Sequence, residues 1–498
     1  MKRCVMKFFK TTKFISLFLV FFLAVGLLFN MWQNKHNMPE LMAKSEDKAI
    51  VLTWKLPAEK ALLYINDKKT TYTEPVEGQG RYVFTNGEHG SVYTIRLEYR
   101  TKSSEVKARQ VRRMFLDFDK MPDLTTVYLE TEDGQMPYYE RAFKPVDAWG
   151  QTIVKNEYKK GTFNNIPVKI RVRGNTSALA PKKPYKLHFE KKTDLLGLGK
   201  EYADKEWYLL ASGGNLKTYF GLKLGQFVGM EWEPRMRFVN LMFNGEYMGL
   251  YVLTESIKRH PKRCAIEKTG YWIESDNYWW KPGEVYFKSG IINVAMGFTF
   301  KYPKITSKFD ERISDVKKQM EMIEQRINKE TSKIQDKSVT LTDLIDMDSW
   351  ASWLLAQELM GNWDVAGSNI FFYKQDNKQT SKWKMGPLWD FDRIFIVKDN
   401  EHTDFYSRNT TYFPLLWFFN KNFKTAYAKK YFSVVGSIEE KMRSALEDVK
   451  KIDGLEESRI LDSKLWRYPY ISIDSEIDNM MKHLHARIEW LNEQNEIH

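Results

Sequence analysis

The stretch from Leu359 to Asp392 gathers side chains that can do chemistry. Asp364 and Asn369 stand five positions apart in a short polar loop after an apolar segment; two strand-like runs follow, Ile370–Lys374 and Lys382–Leu388, and Asp390 comes next. A tight antiparallel hairpin returns the end of its second strand beside the start of its first, so Asp390 is expected next to Asn369. One carboxylate beside an attacking hydroxyl can accept its proton, and further oxygen donors can hold a hard divalent cation against a polyphosphate. Asp364 is therefore the candidate catalytic base, and Asn369 and Asp390 are the candidate ligands of Mg2+ or Mn2+. Any one of these residues alone reads as a turn cap or a solvated loop acid. The ordered trio carries the signal.

The order of helix, Asp-to-Asn loop, hairpin and Asp is the order found in the catalytic and metal-binding segments of protein kinases. Such a site also needs cations on a sheet to hold phosphates. In the run from Lys183 to Phe189 the strand period puts Tyr185, Leu187 and Phe189 on one face and Lys186 and His188 on the other. Lys186 is the first candidate for the phosphate-binding lysine and Lys183 the second, while Arg171 and Arg173 on the preceding strand can add charge to the same face. Neither Gly-x-Gly-x-x-Gly nor a Walker motif occurs. A competing reading pairs carboxylates among Glu274, Asp276, Asp364 and Asp390 for glycoside hydrolysis, but that chemistry requires neither a cationic strand nor an Asp-to-Asn loop.

Positioning these groups calls for an α+β chain of more than one domain, since 498 residues exceed the ~250–300 at which one core stops growing. Short alternating runs between Ile50 and Arg100, broken by turn signals such as Asn86-Gly87, predict a small β-sandwich-like module over 49–113, similar to fibronectin type III or immunoglobulin modules. A larger unit over 120–498 is predicted to be two-lobed and kinase-like, with a β-rich first lobe, a helical second lobe, and a cleft between them. Ile313, Val316, Met320, Ile323 and Ile327 recur at helical spacing in the second half.

Residues 1–33 read as a signal anchor or a signal peptide: Lys2, Arg3, Lys7, Lys10 and Lys13 precede an apolar run from Phe14 to Phe29. A polar tether is expected over 34–48. This places the bulk of the chain outside the membrane, held by its N-terminal helix, or secreted if the leader is cleaved. The formal charge of +13 falls to +8 once the five leader cations are set aside. That mild excess, without an arginine-rich helix, argues against nucleic acid as a partner. Cys4 and Cys264 support neither a disulfide framework nor a thiolate metal site, so a metal here would have oxygen ligands.

Several segments in series resemble the CotH kinase family, atypical protein-kinase-like proteins named after a spore-coat protein: Arg171-Val-Arg-Gly-Asn-Thr176, Lys183 to Phe189, Phe243 to Glu255, Gly270 to Asp276, Asn362-Trp-Asp-Val-Ala-Gly-Ser-Asn369 and Leu388-Trp-Asp-Phe-Asp392. The resemblance covers roughly residues 124–400. It implies Lys186 as the phosphate-contacting lysine, Glu255 near the nucleotide, Asp364 as the catalytic aspartate, and Asn369 and Asp390 as metal ligands; Arg173, from the strand face, is a further nucleotide-binding candidate. The resemblance further implies ATP as co-substrate and Ser or Thr hydroxyls of partner proteins as acceptors. One segment departs from the family: Asn215 to Leu222 lacks the charged residues usual at the start of the first large helix. Loss of that network would suit a catalytically inactive pseudokinase acting in envelope or spore-coat assembly.

Overall fold

A computed structural model describes residues 40–496 apart from 57–60, 67–70, 101–105, 145–150, 213–214, 281–283, 294–295, 329–338, 363, 366–368, 396–403 and 407–409. The expected leader over 1–33 lies outside the described residues. Among these, no helix is long and apolar enough to cross a membrane. The chain divides into two compact units, one ending at Met121 and also taking in Gly245–Tyr247, the other holding the rest.

Among its described residues the first unit has seven strands: β1 (Glu40–Glu46), β2 (Ala49–Lys55), β3 (Ala61–Asn66), β4 (Thr71–Val76), β5 (Gln79–Phe84), β6 (Val92–Arg100) and β7 (Val106–Met114). They form a three-stranded sheet, β1-β2-β5, and a four-stranded sheet, β4-β3-β6-β7. Alternation decides which side chains meet: Ile50, Leu52 and Trp54 from the first sheet and Leu63, Ile65, Ile95 and Leu97 from the second share one core. Of the tether expected over 34–48, residues 34–39 lie outside the described residues, and 40–46 are corrected to a strand. Residues 40–46 pair along their whole length with 49–55, because Leu41, Ala43 and Ser45 alternate onto the core side.

The second unit opens with β8 (Thr126–Thr131), the hairpin β9 (Glu140–Lys144) and β10 (Gln151–Lys155), β11 (Lys159–Phe163), β12 (Ile166–Val172), β13 (Tyr185–Thr193) and β14 (Asp204–Leu210). Helix α1 (Lys217–Val228) follows, then β15 (Met236–Phe243) and β16 (Glu246–Glu255). The expected sheet closes into a barrel of order β11-β12-β13-β14-β16-β15-β8. Tyr185, Leu187 and Phe189 fill its interior with Ile170, Trp207 and Leu209, which leaves the alternate residues on the outside.

The later half is not purely helical. It carries β17 (Tyr271–Asp276), β18 (Tyr286–Phe287), β19 (Gly297–Tyr302), β20 (Ile370–Lys374) and β21 (Trp383–Met385) in one sheet of order β18-β19-β17-β20-β21. Its helices are α2 (Glu311–Ile327), α3 (Leu341–Leu344), α4 (Met347–Met360), α5 (Phe413–Phe419), α6 (Lys421–Glu447), α7 (Leu455–Trp466) and α8 (Ile473–Glu496). Their apolar faces form one large core with α1 and this sheet. Helix α4 is buried nearly all round, starts at an Asp346 cap that accepts the Ser349 N–H, and stops at a left-handed Gly361, which fixes where the Asp364 loop begins. A buried ion pair ties α7 to the barrel. Lys182 Nζ lies 2.7 and 2.9 Å from the two oxygens of Asp462, which also accepts the Leu250 N–H. Gly249 permits the approach, since a Cβ there would strike the Asp462 carboxylate.

Candidate functional site

Asn369 and Asp390 meet. The hairpin β20–β21 brings Asn369 Nδ2 to 3.1 Å from Asp390 Oδ2, where it donates a hydrogen bond. Both residues adopt left-handed backbone, with φ of 64° and 65°, a conformation that Asn and Asp tolerate better than other side chains. The Asn369 N–H is held by Glu274 Oε1 at 3.2 Å, and the Leu388 N–H by Glu233 Oε1 at 3.1 Å, so each side of the pair is anchored from a neighbouring element. Asp364 is exposed in its loop, its own N–H capped by Asn362 Oδ1 at 3.0 Å.

The three aspartates feel one another. Burial, then Asp392 and Asp364, push the Asp390 carboxyl up to about 6, against opposing pulls from Arg173 and the Asn369 amide. Asp392 is raised as well, chiefly by burial and further by Asp364, while Lys217 and Arg173 act the other way. Arg173 and Lys217 offset the three carboxylates only in part, and a divalent cation would balance the negative charge that remains. Among the described residues no three His, Cys, Asp or Glu side chains are close enough to make a metal site by themselves. Asp390 and the Asn369 amide oxygen are hard oxygen donors of the kind that would hold Mg2+ or Mn2+.

Arg173 connects this cluster to the barrel. Its guanidinium lies 4.6 Å from the ring centre of Tyr208 and 5.4 Å from that of Trp389, the residue before Asp390. Lys186 is on the same outer face, with Tyr208 as its cross-strand partner, and its Nζ is 3.0 Å from Glu206. Burial works against the charge of Lys186, but attraction from Tyr208 and Glu206 outweighs it, so the ammonium is held above its ordinary range. Arg171 covers the ring of Tyr158 on this face. Tyr158 in turn lines a cavity of about 500 Å3 with Lys155, Lys159 and Lys160. Lys183 turns to a backbone carbonyl, that of Ala178, at 2.8 Å.

Other expected residues are placed differently. Glu255 is fully buried, and its oxygens are taken by Arg235 at 2.7 Å and Arg263 at 3.2 Å, so it braces the end of β16. Of the four acids in the glycoside-hydrolysis reading, Glu274 is bound by Lys301 at 2.5 Å and Asp276 accepts the Tyr278 N–H at 2.7 Å. Lys217 is the residue that sequence reasoning missed. It lies in the Asn215 to Leu222 segment that looked stripped of charge, yet its Nζ donates to the Asp392 carbonyl at 3.1 Å. A cation at the first position of the helix was the only available signal.

The family model described as CotH kinase protein matches residues 170–491, about two thirds of the chain. The chain belongs to the CotH kinase family. The match runs past Asp392 into α8, so the C-terminal helices are part of the CotH kinase unit and not an appended domain. No curated protein matches the chain significantly.

Proposed function

We propose that this CotH kinase is an extracytoplasmic phosphotransferase, held to the membrane by its N-terminal apolar segment, that moves the γ-phosphate of ATP to Ser or Thr hydroxyls of partner proteins. The observation that carries the reading is the contact of Asn369 with Asp390, in a cluster with Asp364 and linked by Arg173 and Trp389 to the strand face bearing Lys186. In this reading the barrel acts as the nucleotide lobe and the helical part as the acceptor lobe. Lys186 and Arg173 bind phosphate oxygens. Asp364 orients the acceptor hydroxyl and takes its proton. Asp390 and Asn369 hold Mg2+ or Mn2+, which when bound neutralises charge on the phosphates.

The test is transfer of label from ATP to a casein-like acceptor. Asp364→Asn should keep metal-dependent ATP binding and lose transfer by at least about 100-fold. One second reading, a pseudokinase that binds and assembles without turnover, follows from the departure of the Asn215 to Leu222 segment from its family. ATP binding by the wild-type protein with no transfer under any divalent cation would select that reading.

A further inference from the structure

Helix α1 bears directly on the Asp390–Asp392 turn. Gly221 lets the ring of Phe391 pack against the helix backbone, where any Cβ would collide with it. Lys217, one turn earlier, shares that helix face. Its Nζ reaches the Asp392 carbonyl at 3.1 Å. The start of the helix is itself pinned: the Leu216 N–H is accepted by Glu476 Oε1 at 2.8 Å, and the Lys217 N–H by Asn215 Oδ1 at 3.2 Å. Glu476 is in turn ion-paired with Arg459, so α7 and α8 both fix the root of the Lys217 side chain.

Two acids act on Lys217 directly, and two further acids and one other cation complete the cluster. Asp392 and Glu476 attract it, Asp364 and Asp390 belong to the same cluster, and Arg173 approaches Asp392 from the barrel. We infer that Lys217 is a positioning residue for phosphoryl transfer: it clamps the Asp392 carbonyl and offsets the Asp392 charge, which leaves Asp390 and Asn369 as the ligands offered to the cation. The role is electrostatic and directional. Without it, Asp392 would compete with Asp390 for the metal, and the turn would lose the hydrogen bond that Lys217 donates to the Asp392 carbonyl. The departure of the 215–222 segment from its family is then a substitution of one charged tether for another and does not mark an inactive member. The inference rests on the phosphotransferase reading for its kinetic part alone.

The experiment compares the full chain with Lys217→Met, Lys217→Arg and, as a control on the same helix, Lys223→Met, whose amine lies over Tyr219. Two readouts are taken. Hydrogen exchange of the peptide spanning 388–395 in the presence of Mg2+ and ATP reports the turn without requiring turnover. Steady-state transfer reports kcat and the KM for ATP. Lys217→Met is expected to raise exchange in that peptide at least about 10-fold and to lower kcat about 100-fold with KM changed less than about 3-fold, as a displacement near 1 Å at a reacting centre would. Lys217→Arg should recover most of both, and Lys223→Met should alter neither. Unchanged exchange and kcat in Lys217→Met would overturn the inference. So would losses that Lys217→Arg fails to recover, since they would mark a role in helix packing. If the wild-type protein transfers nothing, the phosphotransferase reading fails, and the exchange data alone still decide whether Lys217 holds the turn.

Discussion

Replacing Gly221 with alanine separates the geometry of the turn from the stability of the fold. A Cβ at 221 would lie 2.7 Å from Phe391 Cγ, with the ring edge nearer still, whereas ordinary contact begins at 3.4 Å. The ring or the helix must therefore retreat by about 0.7 Å or more. Phe391 links Asp390 to Asp392, so the turn moves with it. Overpacking of this kind costs about 1–3 kcal/mol, and exchanging glycine for alanine inside a helix returns about 1 kcal/mol, so the net loss of stability should be about 0–2 kcal/mol. The chemistry is less forgiving: a shift near 1 Å is worth about 100-fold in rate. Gly221→Ala should then fold with a urea midpoint close to that of the wild type and yet lose most transfer activity. Gly221→Ala/Phe391→Leu, which removes ring atoms from the clash, should recover at least about a tenth of the lost activity, with a coupling of about 0.5–3 kcal/mol in stability. Wild-type activity in Gly221→Ala would refute the argument that α1 sets the position of Asp390.

Further expectations concern buried charge. Glu233 is buried, its Oε2 has no hydrogen-bond partner among the described residues, and burial raises its carboxyl well above the ordinary value. The folded state therefore keeps a proton that the unfolded state releases above about pH 4.5, so stability falls as pH rises through that window, by up to about 1.4 kcal/mol per unit. Glu233→Gln, which still accepts the Leu388 N–H, should flatten that slope in urea midpoints taken from pH 5 to 8; parallel curves would contradict it. Lys182→Met leaves Asp462 buried and unpaired and should cost about 3–5 kcal/mol, whereas Lys182→Met/Asp462→Leu should cost clearly less by the same unfolding measurement.

The strands most readily read from sequence were those with a clean period of two between turn residues. The run around Tyr185 to Phe189 alternates so strictly that its buried and outer faces could be assigned without coordinates, and the run Ile370–Lys374 coincides with β20. Strand β1 was hidden because Glu40 to Glu46 is polar enough to pass for a tether, and only its pairing with β2 gives it a core side. Closure of the barrel was equally illegible, since it depends on β8 pairing with both β11 and β15, contacts far apart in sequence. At the site, the hairpin geometry made the meeting of Asn369 and Asp390 foreseeable. The fate of Glu255 was not, because its partners Arg235 and Arg263 carry no periodic signal. Lys217 was overlooked for a related reason. Its importance comes from the Asp392 carbonyl 175 positions away, and a backbone oxygen leaves no trace in a motif.

The most direct measurement is the affinity of the purified protein for ATP with and without Mg2+ or Mn2+, compared with that of Asp390→Ala. The account predicts that the cation tightens binding at least about 10-fold in the wild-type protein and has no effect in the variant, while metal-free affinity stays the same in both. Equal enhancement by the cation in Asp390→Ala would contradict it.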